Sequence, residues 1–72
     1  MISYGPLAKT IQERNIKRTD LIEMCDISTS TLAKLGKNES VTLTIIEKIC
    51  KALKCNIEDV VEIINEEGEE ND

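Results

Sequence analysis

Apolar residues recur at helical spacing in four stretches of the chain, each bracketed by residues that start or stop a helix. Gly5-Pro6 opens the first, because proline suits the first turn, where its missing N–H is not needed. A helix over Pro6–Asn15 follows, with Leu7 and Ile11 one turn apart and Ile16 closing over the core. The second runs over Arg18–Cys25, with Leu21 and Cys25 on its apolar face. Asp20 in its first turn favours the positive end of the helix dipole. The third starts at Ser28, a good N-cap, and buries Leu32 and Leu35. Gly36 is its expected C-cap. The fourth covers Leu43–Leu53 behind Thr42 as N-cap, and Ile46, Ile49, Cys50 and Leu53 form its stripe.

Asn56 reads as another N-cap, opening a short fifth helix to Val60. Val60, Val61, Ile63 and Ile64 are β-branched, which favours a strand over Val61–Ile64 above an extension of that helix. Such a strand has two available partners, Ile2–Tyr4 or its counterpart in a second subunit. The expected class is all-α: a compact domain of five helices over residues 1–64, with a short terminal strand as the open alternative. Residues 65–72 read as an acidic disordered tail.

Between the second and third helices the chain must turn sharply, and Asp26 stands at that turn. Asp tolerates a left-handed backbone better than most residues, though less well than glycine. Lys17–Lys37 is therefore two short helices joined by a tight turn. The second of them opens on Ser28, Thr29, Ser30 and Thr31. A helix start with that much hydrogen-bonding capacity and so little bulk suits the major groove of DNA.

Composition narrows the alternatives. The chain has 72 residues, enough for one domain near the lower limit of unaided folding. Tyr4 is the only aromatic, which disfavours base stacking on single strands. There is no histidine, which excludes a histidine general base and histidine-held metal. Cys25, Cys50 and Cys55 form no CxxC and read as buried, reduced thiols. No catalytic, cofactor or metal residue is expected, and Glu58/Asp59 reads as the acidic start of a short helix. No signal peptide or membrane span is evident, so the expected location is the cytoplasm.

The net charge of −5 is unevenly distributed. Eight of the 14 acids lie from Glu58 onward, with no base among them. Residues 1–57 hold all nine Lys and Arg against six acids, a balance of +3. The local field at a phosphate-facing surface matters more than the total.

The sequence also resembles the lambda-repressor-like, XRE/Cro-type helix-turn-helix proteins of bacteria and phages. The matching segments are LAKTIQERNI, KRTDLIEMCDISTSTLAKLGK, VTLTIIEKICKAL and CNIEDVVE, covering about residues 7–62. Two positions depart from the common pattern: Ile22 stands where many members have Ala, and Asp26 where many have Gly. The resemblance implies a double-stranded DNA-binding transcriptional regulator, a repressor, acting as a homodimer. It makes the third helix the recognition helix, with Thr29, Ser30 and Lys34 toward base edges. It assigns Lys17, Arg18, Ser28, Thr31, Lys37 and Asn38 to phosphates. Each has a plainer reading: Ser28 as a cap, Thr29 and Ser30 as soluble first-turn residues, Lys34 as a solvated lysine. Val60, Val61, Ile63 and Ile64 are the expected dimer segment, because their apolar content exceeds what so small a monomer easily hides. The alternative is a protein-interaction module, antitoxin-like or anti-repressor, using the same fold as a scaffold.

Overall fold

The structure, a computed structural model, describes residues 1–65. The acidic segment from residue 66 to 72, expected to be a disordered tail, lies outside the described residues. The elements in order are β1 (Ile2–Ser3), α1 (Gly5–Glu13), α2 (Asp20–Cys25), α3 (Thr29–Gly36), α4 (Leu43–Leu53), a 3₁₀ turn (Ile57–Asp59) and β2 (Glu62–Ile63). The core is formed by Tyr4, Leu7, Ile11, Leu21, Cys25, Ile27, Leu35, Ile46, Ile49, Leu53 and Val60. Each apolar stripe read from the sequence is buried there except Leu32 and Cys50, which pack half-buried against it.

The caps Ser28 and Thr42 act as expected. The Ser28 hydroxyl accepts the Thr31 N–H at 3.1 Å, and the Thr42 hydroxyl accepts the Ile45 N–H at 3.3 Å. α2 starts later than expected, at Asp20 rather than Arg18. The preceding turn is tighter than an α-helix, with Asp20 N–H to Lys17 O at 2.9 Å and Leu21 N–H to Arg18 O at 3.0 Å.

All four helices end on a left-handed residue that is not glycine: Asn15, Asp26, Asn38 and Lys54, with φ between 54° and 58°. After each, an N–H reaches back to the carbonyl five residues earlier: Ile16 to Ile11 at 2.9 Å, Ile27 to Ile22 at 3.1 Å, Glu39 to Lys34 at 2.9 Å, Cys55 to Cys50 at 3.0 Å. This closure satisfies carbonyls that the helix end leaves open. It also ends α1 at Glu13 instead of Asn15. Gly36 is not the cap expected of it. It is the last residue of α3, its φ is not positive, and Asn38 takes the left-handed position.

The expected fifth helix is a single 3₁₀ turn. Its path is fixed by α1, not by helix propensity. The Val60 carbonyl accepts the Leu7 N–H at 3.1 Å, and the Asp59 carbonyl accepts the Thr10 hydroxyl at 2.8 Å. The chain then enters β2, which pairs antiparallel with β1, Ile2 opposite Ile63 and Ser3 opposite Glu62. Of the two partners open to this strand, the structure shows Ile2–Ser3. Val60 is wholly buried in the core, so it leaves the expected dimer segment. Val61 is half-buried, while Ile63 and Ile64 are exposed. Ile22 is also only half-buried, so part of its bulk is accommodated at the surface.

The three cysteines are free. Burial pushes each thiol above its ordinary pKa, which keeps them protonated and weakly nucleophilic at neutral pH.

Candidate nucleic-acid interface

Asp26 sets the angle between α2 and α3. Its backbone is left-handed, with φ 56° and ψ 54°, and Ile27 behind it is buried as a plug. Lys48 of α4 holds this turn from below. Its ammonium donates to the Asp26 carbonyl at 3.2 Å and lies 3.7 Å from the Asp26 carboxylate. The ion pair is exposed and worth little, but the hydrogen bond ties the turn to α4.

α3 then starts under the Ser28 cap. Ser28 Oγ accepts the Thr31 N–H and donates to Thr31 Oγ1, also at 3.1 Å. The Thr31 hydroxyl proton remains for an outside acceptor. Thr29, Ser30 and Lys34 are exposed, and no hydrogen bond among the described residues engages their side chains. That leaves two hydroxyls and an ammonium on one short helix with their full capacity toward solvent.

The residues expected at phosphates fall around this helix in different states. Lys17 and Lys37 are exposed. Asn38 accepts the Tyr4 N–H through its side-chain oxygen at 2.9 Å, which leaves its amide N–H groups to donate. The Tyr4 hydroxyl donates to the Glu39 carbonyl at 2.8 Å, so the segment after α3 is fixed at two points. Arg18 donates to the Leu32 carbonyl of α3 at 3.1 Å, which brings the start of α2 onto α3.

The structure adds residues that the sequence pattern does not mark. A cleft of about 350 Å³ lies beside α3, lined by Thr31, Lys34, Ser40, Val41, Thr42 and Ile45. Ser40 and Thr42 therefore share a surface with Lys34. Their signal in the sequence is only a polar loop and an N-cap. The loop's return to α3 depends on Tyr4, more than thirty residues away in the chain.

Comparison with known proteins fits this geometry. The family model for the Cro/C1-type HTH DNA-binding domain matches residues 7–66. The chain belongs to the Cro/C1-type helix-turn-helix family. A solved relative, the crystal structure of the transcriptional regulator VanUg in form II, superposes with a TM-score of 0.84 at 43% identity. The match covers 88% of this chain and 84% of that one. No curated protein matches it. In this Cro/C1-type domain α2 and α3 are two short helices joined by the tight turn at Asp26. Among the described residues no helix is long and apolar enough to cross a membrane.

Proposed function

We propose that this Cro/C1-type domain is a sequence-specific double-stranded DNA-binding transcriptional regulator, a repressor, with α3 as its recognition helix. The observation that carries the reading is the outer face of α3. A capped helix presents Thr29, Ser30 and Lys34 unengaged, on a motif whose family binds DNA. Thr29 and Ser30 donate or accept at base edges, and the Thr29 methyl suits a thymine methyl. Lys34 reaches a guanine or a phosphate. Lys17, Ser28, Thr31, Lys37 and Asn38 hold phosphates and so fix the register. Arg18 is left out of this set because its guanidinium is engaged on the Leu32 carbonyl. VanUg, a transcriptional regulator by its title, supports the regulatory role.

The regulator acts as a homodimer, which multiplies the few contacts one short helix can make. The supporting observation is an apolar groove of about 400 Å³ on the other side of α4, lined by Ile2, Tyr4, Leu43, Ile57, Val61 and Ile63, among others. Leu43 is 75% exposed and Ile63 71%, large apolar surfaces that water leaves uncompensated. A two-fold contact there buries the same patch of each subunit. A bound dimer represses by occupying its site.

The double substitution Thr29→Ala, Lys34→Ala tests the recognition surface by gel shift against an operator selected with the wild-type protein. The reading expects specific binding to weaken on the order of 100-fold while the circular dichroism spectrum stays unchanged. Retained specific binding by the folded variant removes α3 from the interface.

A further inference from the structure

Gly36 is unexplained by its backbone, since its φ is not positive and it does not cap α3. Its neighbour supplies the reason. A Cβ built on Gly36 would lie 2.9 Å from the Arg18 Nη2 and 3.7 Å from its Cζ. The Arg18 guanidinium thus lies across Gly36 and ends one turn back, where Nη2 donates to the Leu32 carbonyl at 3.1 Å. Leu32 and Gly36 are i, i+4 neighbours on one side of α3. A helix carbonyl keeps a second lone pair for such a donor.

We propose that Arg18 is a positioning residue for α3, seated on the bare backbone at Gly36 and fixing how the helix is rotated against the start of α2. The inference rests on α3 being the recognition helix. Two anchors then define that helix. Asp26 and its Lys48 contact hold its beginning, and Arg18 holds its end. Rotation of an α-helix moves every outward side chain together, because they share one rigid backbone. Loss of the end anchor therefore blurs base readout by Thr29, Ser30 and Lys34 without removing a phosphate contact.

Two variants separate this role from direct phosphate binding. Arg18→Ala removes the guanidinium. Gly36→Ala fills the seat and keeps the charge, and the displaced group is the far end of a flexible side chain, so the fold survives. Amide exchange of the free protein is the first readout. Alanine forms helix better than glycine, so on an empty seat Gly36→Ala slows exchange at Lys37 and Glu39. The proposal expects that slowing, several-fold, in the Arg18→Ala background and its absence in the wild-type background. Equal slowing in both shows that Arg18 does not occupy the seat and overturns the proposal.

The second readout is binding to the selected operator and to a scrambled duplex over a range of salt. Either variant is expected to lower the specific-to-nonspecific affinity ratio about 3- to 10-fold with the salt slope unchanged. If Arg18→Ala instead makes the slope shallower by about 0.9 and weakens both duplexes equally, Arg18 is a phosphate contact and the proposal fails. If the wild-type protein binds neither duplex, the DNA reading falls and the positioning role with it, while the exchange result still decides whether the seat exists.

Discussion

The first turn of α4 stands between two surfaces of opposite chemistry. Thr42 and Ile45 face the cleft beside α3, and Leu43 and Ile46 face the apolar groove against the terminal sheet. Val41 touches both. On the α3 side the outward residues are small hydroxyls and lysines with unused hydrogen-bonding capacity. On the groove side they are large aliphatic groups left in water, Leu43, Ile57 and Ile63. A polar helix face is the ordinary state of a soluble protein. An apolar groove is not, and it calls for something to cover it. Under the proposed function, the difference separates a face for reading DNA from a face for assembly.

The largest expected effect breaks the reading face alone. Thr29→Ala with Lys34→Ala removes two of the proposed DNA contacts, about 3 kcal/mol of specific binding and on the order of 100-fold in Kd. Both sites are exposed, so thermal unfolding should shift little, within about 0.5 kcal/mol. Titration by fluorescence anisotropy, beside a melting curve, checks both halves.

Next comes the assembling face. Leu43→Lys or Ile63→Lys places a charge where a second subunit would bury an apolar group. Each should cost about 2 kcal/mol of association, shifting the mass seen by analytical ultracentrifugation from dimer to monomer. Operator affinity falls with it through lost avidity, whereas a half-site is bound as before. A dimer of unchanged mass in both variants would place the contact elsewhere.

Two smaller changes sharpen the contrast through the scaffold, the first at Ser28, which is both the cap of α3 and a proposed phosphate contact. Ser28→Ala removes the cap of α3 and should destabilise the domain by about 1 kcal/mol in a urea titration. Lys54→Gly relieves a left-handed lysine whose side chain makes no hydrogen bond or ion pair among the described residues. It should stabilise by up to about 1 kcal/mol, visible as a modest rise in Tm, with DNA binding and dimerisation unmoved.

These positions also show what the sequence makes legible. Four helices, two N-caps and the Asp26 turn are visible because their causes are local: apolar spacing, a hydroxyl before the stripe, a short polar residue where the chain reverses. Gly36 looks like a cap because glycine after a stripe usually is one. Its actual reason is Arg18, 18 residues earlier, and no local pattern records that contact. The left-handed Asn15, Asn38 and Lys54 were likewise masked, since glycine is the usual signal there. The fifth helix is a single turn whose last carbonyls, of Asp59 and Val60, are bound by Thr10 and Leu7 of α1, contacts that no local pattern records. Leu43 lies in line with the α4 stripe, one turn before Ile46. Periodicity alone cannot separate the buried part of a stripe from the end that overhangs the core. For the same reason Val60 reads as an interface residue while it is in fact central to the core.

Selection of duplex DNA from a random pool with the purified protein at low salt tests the central claim most directly. The account predicts enrichment of an inverted repeat with half-sites about one helical turn apart, lost when Thr29 and Lys34 are both alanine. A pool that stays random while the protein is folded would contradict it, and would turn attention to the apolar groove as the site of a protein partner.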